Sequence, residues 1–336
     1  GSEAEDLLLR GQLGTAIEVA QADAQEHPGD ISAQELWIDI MLTAGQARQT
    51  AARYTEWTRV RPEDPDAHYL VGRATLDPEA ARKAYETALR IRPNHARAHM
   101  GMGAIHRGLK DLDSAVEAYQ RAVRYDPTLS EAWAGLAASW LGQNRPNEAK
   151  RVCRDAIKNV PSEADAYLTL AMLSPEESEL ILLQAVRNVP GDPRTHAAQG
   201  ARLLVSGQPV KALAAAETAL AIEGTNPQAL RTRMFARSMV AGNLDDAGFK
   251  SIDAMQGSDD GGRVAEWDAL VVAYPKSSLP LMGRASVTAR EELSGALVDL
   301  SLAVRLEPDN EEALASYGLV LLEARRFDEA LVMLRK

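Results

Sequence analysis

The chain has 336 residues, of which 46% are hydrophobic and 25% charged, a balance that excludes intrinsic disorder and supplies enough apolar side chains for a sizeable core. Its 37 basic and 48 acidic residues give a formal net charge of −11, which repels phosphate backbones and anionic lipid surfaces and argues against a general nucleic-acid binder. The one cysteine, Cys153, excludes an intrachain disulfide framework and a multi-thiolate metal site, and no apolar run reaches the roughly 18 residues needed to span a membrane.

In chain order, Gly1-Ser2 reads as the remnant of a cleaved tag, and the helical pattern of Arg326 to Lys336 stops about where its last packing residue falls, so an excerpt of a longer chain is expected. Between these ends, prolines that close a helix recur at Pro28, Pro62, Pro93, Pro127, Pro161, Pro190, Pro275 and Pro308, most of them 34 residues apart. Small residues return in phase with them. One series (Gly72, Gly103, Ala137, Ala171, Gly200, Gly318) falls inside a first helix, and a second (Ala81, Ala115, Ala149, Ala212, Ala247, Ala296, Ala330) falls on a second helix. A third follows seven residues on, at Ala88, Ala122, Ala156, Ala185, Ala219, Ala254 and Ala303, with large residues such as Tyr85, Tyr119, Trp133, Trp140 and Tyr167 beside them.

Two antiparallel helices of about 12 residues cross closely where Gly or Ala lets the backbones approach, and the neighbouring large residues fill the flanking volume. Each pair leaves an apolar face that only the next pair can cover, so the pairs stack. Asp77-Pro78-Glu79 and Ser174-Pro175-Glu176-Glu177 each offer an N-cap, a proline at the first helical position and acids in the first turn. The fold class is all-α.

This pattern resembles the tetratricopeptide repeat family, most closely from Ala96 to Pro127 and from Ser130 to Pro161, where Trp133, Leu136, Ala137, Trp140, Ala149, Ala156 and Pro161 occupy the family positions. The resemblance implies a right-handed α-solenoid, a superhelix of helix-turn-helix units that binds peptides or proteins on its concave surface. It names no substrate. A bacterial source is expected, with the cytoplasm taken ahead of the periplasm as compartment.

The units ending at Pro93 and Pro190 are three and five residues short, with the loss expected in the turn between their helices. After Met255 comes Gln256-Gly257-Ser258-Asp259-Asp260-Gly261-Gly262 and then a lone helix, Arg263 to Ala273. Two blocks are therefore expected: a regular array over 1–257 of about eight units, the first partial, and residues 258–336 holding the joint, the lone helix and C-terminal units, the last truncated. The stack is expected to loosen near residue 260.

Chemistry is sparse. His99 and His106 share a helix face near His95, yet no carboxylate or thiol accompanies them in sequence and they occupy packing positions, so no metal site or cofactor is expected. Gly101-Met102-Gly103 lies inside a helix and lacks a third glycine, and Asp259-Asp260-Gly261 lacks the alternating acids of a calcium loop. The five tryptophans all fall at helix-packing positions, which argues against an aromatic cage.

In such arrays the first helix of each unit lines the inner curve, at its second, fifth, sixth, ninth and twelfth places. The candidate partner-binding groove is Tyr69, Arg73, Arg97, Met100, Ala104, Arg107, Ala134, Ala138, Leu168, Met172, Ala201, Arg231 and Phe235, with Gly101, Gly135, Thr169, Arg194, Ala197 and Ala198 beside them. Its centre is small and apolar, with arginines along it. Tyr69 and Phe235 are expected to be exposed. The expected occupant is an amphipathic helix or extended segment of another protein whose acids meet Arg73, Arg107 or Arg231. The leading expectation is a non-catalytic scaffold; the alternative is a recruitment or assembly module of a larger transferase or envelope or export protein. Self-association through an uncovered end helix is a third.

Overall fold

A computed structural model describes residues 2–256, 264–289 and 292–335. Among the described residues every regular element is a helix, and no strand occurs. The chain divides into two compact units, Gly1–Ser174 and Pro175–Lys336. The expected boundary at 257/258 falls outside the described residues.

The first unit runs α1 (Glu3–Leu9), α2 (Leu13–Glu26), α3 (Ile31–Thr43), α4 (Ala47–Val60), α5 (Pro65–Ala74), α6 (Pro78–Ile91), α7 (Ala96–Gly108), α8 (Leu112–Tyr125), α9 (Ser130–Gly142), α10 (Pro146–Asn159) and α11 (Ala164–Leu173). Consecutive helices pack on each other, and the odd-numbered ones also touch in series, α3 on α5, α5 on α7, α7 on α9 and α9 on α11.

Glycine opposite tyrosine makes this packing possible. The Tyr85 ring of α6 lies so close to two first helices that a Cβ on Gly72 of α5 would stand 2.4 Å from its Cε1, and one on Gly101 of α7 would stand 2.5 Å from its Cζ. Tyr119 of α8 is held in the same way, 2.9 Å from a Cβ placed on Gly103 and 2.3 Å from one on Gly135 of α9. One repeat later the same three positions hold Cys153, Ala137 and Thr169. The space a ring would take is returned as side chains on the two facing helices, a volume-conserving exchange. Cys153 is 2% exposed, and burial pushes its thiol up to about 11, so it stays protonated at neutral pH.

The turns between units are locked by a second device. Six residues after five of the eight closing prolines stands a side chain that donates to that proline's carbonyl oxygen, in the first unit His68 Nε2 to Pro62 at 2.8 Å, His99 Nε2 to Pro93 at 2.9 Å, Trp133 Nε1 to Pro127 at 2.8 Å and Tyr167 Oη to Pro161 at 3.2 Å. In the second unit His196 Nε2 does the same to Pro190 at 2.9 Å. A carbonyl only accepts, so each of these imidazoles carries its proton on Nε2. His95 has another role: its Nδ1 accepts from the Ala98 N–H at 3.2 Å as the N-cap of α7, while Nε2 faces Asp66 at 2.9 Å.

Two local expectations are corrected. The short units lose residues from their helices, α5 and α11 having 10 residues each where α7 and α9 have 13. Asp77 caps α6 as expected, accepting from the Ala80 N–H at 3.0 Å. Ser174 does not cap: the next helix, α12, starts only at Ser178, and the Ser174 hydroxyl is buried without a partner.

The second unit runs α12 (Ser178–Asn188), α13 (Pro193–Val205), α14 (Pro209–Ile222), α15 (Pro227–Val240), α16 (Asp246–Gln256), α17 (Val264–Ala273), α18 (Leu279–Thr288), α19 (Leu293–Leu306), α20 (Glu311–Glu323) and α21 (Phe327–Leu334). The helix expected to be unpaired, α17, is packed on α18. Trp267 is 1% exposed, and a Cβ on Gly283 would stand 2.1 Å from its Cζ3, the same interlock with indole in place of phenol. One buried cluster joins Leu203, Phe235, Phe249, Ile252, Trp267 and Leu279, residues from both sides of the expected joint. The joint itself, 257–263, lies outside the described residues.

Gly135→Ala should lower stability by roughly 1–3 kcal/mol despite alanine's better helix propensity, because Tyr119 is closed in on both sides and its ring cannot withdraw. Gly14→Ala, where an added Cβ meets nothing within 4 Å, should raise stability by up to about 1 kcal/mol. Urea titrations of the two variants beside the parent would show these opposite signs.

Candidate functional site

The first helices α5, α7, α9 and α11 border one cavity of about 750 Å³ in the first unit. Tyr69, Arg73, Met100, Ala104, Arg107, Ala134, Ala138 and Leu168 all line it, with Gly101, Gly135 and Thr169. Eight of the thirteen predicted groove residues are thus brought together by their phase in the repeat. Arg97 and Met172 are not among the lining residues, and Met172 is 66% exposed. Ala201, Arg231 and Phe235 belong to the second unit.

Two residues expected on the surface are in the core. Tyr69 is 0% exposed and stacks on Tyr85 with ring centroids 5.8 Å apart. Phe235 is also 0% exposed and meets Phe249 edge-on at 5.1 Å. A large ring at an inward-facing place is drawn between helices, where its area is removed from water, and leaves only an edge toward the groove.

The arginines are mostly engaged within the protein. Arg73 forms an ion pair of 2.7 Å with Asp39 on α3, 34 residues earlier. The Tyr69 hydroxyl donates to Glu35, also 34 residues earlier. Arg97 Nε holds the same carboxylate at 3.1 and 3.2 Å, and its terminal nitrogen reaches Ser32 Oγ at 3.0 Å. Residues one repeat apart occupy the same place on adjacent first helices, so opposite charges at such places meet along the stack. Burial pushes the Glu35 carboxyl above its ordinary range, against the opposing Tyr69 hydrogen bond and the Arg97 charge. Asp39 is raised for the same reason, with Arg73 pulling the other way. In the second unit Arg231 is held by Asp253 at 2.7 Å and Gln256 at 3.2 Å, and Arg194 by Asp192 at 2.6 Å. Among the described residues Arg107 is exposed over the cavity and forms no ion pair, its guanidinium beside the Tyr119 hydroxyl.

Sequence reasoning missed part of the lining. Trp133, assigned to helix packing, is half-buried and borders the cavity, as do Tyr85, Tyr119 and Leu141. The same second-place rule that gives Arg97 also gives Glu131 and Asp165, and both line the cavity with Glu163. A second cleft, of about 1010 Å³, lies in the second unit between α15 and residues 307–315. Arg233 and Glu311 face each other across it at 3.0 Å. Those two residues are 78 apart, a separation no repeat period announces.

Tetratricopeptide repeat families match residues 75–130 and 106–173, the stretch that supplies most of the cavity. Residues 75–173 carry tetratricopeptide repeats. Similar solved structures include PilF of Pseudomonas aeruginosa, 15% identical over 61% of this chain and 97% of that one with a TM-score of 0.47. YrrB, a protein of this family described as having an unusual peptide-binding site, is 17% identical over 55% of this chain and 98% of its own, with a TM-score of 0.40. A family member from Parabacteroides merdae is 15% identical over 70% of this chain and 96% of its own, also at 0.40. No curated protein sequence matches the chain.

Within this tetratricopeptide unit, Arg73 and Arg107 should separate by role. Arg73→Glu would set a carboxylate against Asp39 and Glu35 and should cost on the order of 1–3 kcal/mol, whereas Arg107→Glu should leave the melting temperature within about 1 °C. Glu35 supplies a pH test. Its folded pKa is raised, so the folded state holds the proton longer than the unfolded chain, and stability falls as pH rises from the ordinary glutamate value through the folded one. Melting curves of the parent and Glu35→Gln from pH 4 to 7 should therefore show the parent losing ground to the variant as pH rises, and then a constant gap.

Proposed function

We propose that the groove of the first unit holds a segment of a partner protein, and that the chain works as a scaffold with no catalysis of its own. The tetratricopeptide repeats support the coarser role of a protein-interaction module. The finer reading rests on one observation: Ala104 and Ala134 are exposed at the cavity and Ala138 half-exposed, so no packed neighbour dictates their small size. Small side chains needed only for helix contact are buried, as Ala98 and Ala132 are on the same helices. An open, apolar floor between rigid walls suits inserted side chains of another chain.

The buried, protonated Cys153 and the histidines committed to proline carbonyls and to an N-cap supply no activated nucleophile or base at this groove. Filling the floor should abolish capture without disturbing the fold. Ala134→Trp, at an exposed position, is expected to keep the parental melting temperature and to lose partners recovered by crosslinking mass spectrometry on the parent protein. Retention of the same partners by the folded variant would refute the groove assignment.

A further inference from the structure

The second unit carries a cleft of its own, of about 1010 Å³, between α15 and residues 307–315. On the α15 wall Leu230, Met234 and Ser238 come at every fourth residue and so share one helix face. Leu230 and Met234 are half-buried, and Ala315 of α20 lines the other wall, exposed. A methionine in such a place is unbranched and adapts to what it meets, so this floor accepts side chains of several shapes. The charges around the floor are not balanced. Three arginines line the cleft, and each is held by an acid: Arg231 by Asp253 at 2.7 Å, Arg233 by Glu311 at 3.0 Å and Arg237, most loosely, by Glu217 at 3.6 Å. Asp253 and Glu217 stand outside the lining, which leaves the lining acids in excess. Among these, Glu307 accepts from the Ser278 N–H at 3.1 Å and from Asn310 at 3.0 Å, and Glu311 is taken by Arg233. Asp309 and Glu312 are exposed and form no hydrogen bond or ion pair among the described residues. Although it is open to solvent at the rim, Glu312 has enough protein around its carboxyl to push it above its ordinary range, against the pull of the Arg231 charge. No cation of the chain stands close enough to compensate it.

We propose that this cleft is a second docking site, whose occupant is a short cationic segment of another protein, with apolar side chains against Leu230, Met234 and Ala315 and lysine or arginine beside Asp309 and Glu312. It is independent of whether the first unit's groove is occupied. An acidic segment would find the arginines taken, and seating it would mean breaking an internal ion pair for each new one made. A cationic segment meets two carboxylates that no residue of the chain has claimed. Both stand on the wall of residues 307–315, opposite the apolar face of α15, so charge and floor are presented together. A cleft of this size takes the side chains of a few residues, and a short stretch of the partner carries the contact. The rim acids raise the encounter rate and set the register, while the floor supplies the lasting contact.

The test uses the full chain and three fluorescein-labelled pools of decapeptides, in which leucine and alanine are interspersed with lysine, with glutamate or with glutamine. Anisotropy at low salt should show the lysine pool binding at least about tenfold tighter than the glutamate pool, with the difference shrinking as salt is added. The double variant Asp309→Asn, Glu312→Gln, at two exposed sites, should cut that preference at least about threefold at an unchanged melting temperature. Ala315→Trp should block the floor and remove most of the lysine-pool binding, whereas Ala134→Trp, in the other unit, should leave the part lost in Ala315→Trp in place. Should Ala315→Trp not fold, the double variant decides alone. A lysine preference untouched by the double variant would mean attraction to the net charge of −11 and would overturn the proposal. Tighter binding of the glutamate or glutamine pool, lost in Ala315→Trp, would overturn the cationic occupant. Lysine-pool binding abolished by Ala134→Trp alone would place the contact in the first unit and overturn this cleft as its site, and failure of all three pools to bind would overturn it as well.

Discussion

An aromatic ring and a Cβ cannot occupy the same place, and the array is built on that exclusion. Tyr85 occupies the space that side chains on Gly72 and Gly101 would need, Tyr119 that of Gly103 and Gly135, and Trp267 that of Gly283. Each tyrosine belongs to the second helix of one unit and touches the first helices of that unit and the next. It therefore sets how near two successive first helices approach, and with it the width of the groove floor they share. Met100, Ala104, Ala134 and Ala138 stand where they do because the rings behind them hold the helices apart by one ring and no more. Where the ring is absent, at Cys153, Ala137 and Thr169 restore bulk from the other side, and the spacing is kept by different atoms.

Much of this is written in the chain. The 34-residue return of proline and of small residues gives the helix pairs, and the places of the first helix give most of the cavity lining. What local pattern cannot convey is which side chains cancel one another. Asp39 and Arg73, 34 residues apart, look independent in the sequence and become one ion pair once adjacent first helices stand side by side. Glu131 and Asp165 stand at the same place in their units as Arg97, and the same place rule reaches them. Tyr69 and Phe235 were placed on the surface because an inward-facing place was equated with solvent; a ring of that size is better buried between helices. The contact of Arg233 with Glu311, across 78 residues, follows no period and had no signal to find.

The polar groups that link the first helices α3, α5 and α7 form a structure of their own. Glu35 accepts from both Tyr69 and Arg97, and so ties α3 to α5 and to α7, two helices along. Such a tie resists shear between neighbouring helices in a way that apolar contact does not, because its geometry is directional. Its carboxylate is costly to keep charged in that setting, so the tie is strong in geometry and modest in net stability. The groove thus has a braced end near α3 and a more open stretch over α9 and α11, where the small apolar floor and the unpaired Glu131 lie.

The donor six residues beyond five of the closing prolines bears on how such a chain can change over time. Because His68, His99, Trp133, Tyr167 and His196 each fasten to a carbonyl only six positions back, the joint between units is defined by a short, self-contained stretch. Lengthening or shortening elsewhere in a unit leaves that joint intact, and α5 and α11, each a turn shorter than their counterparts, illustrate the point. Histidine, tryptophan and tyrosine are interchangeable there because only a ring-borne hydrogen at the right reach is needed. Units can then be copied, trimmed or exchanged like links that share one clasp, while the residues facing the groove remain free to diverge.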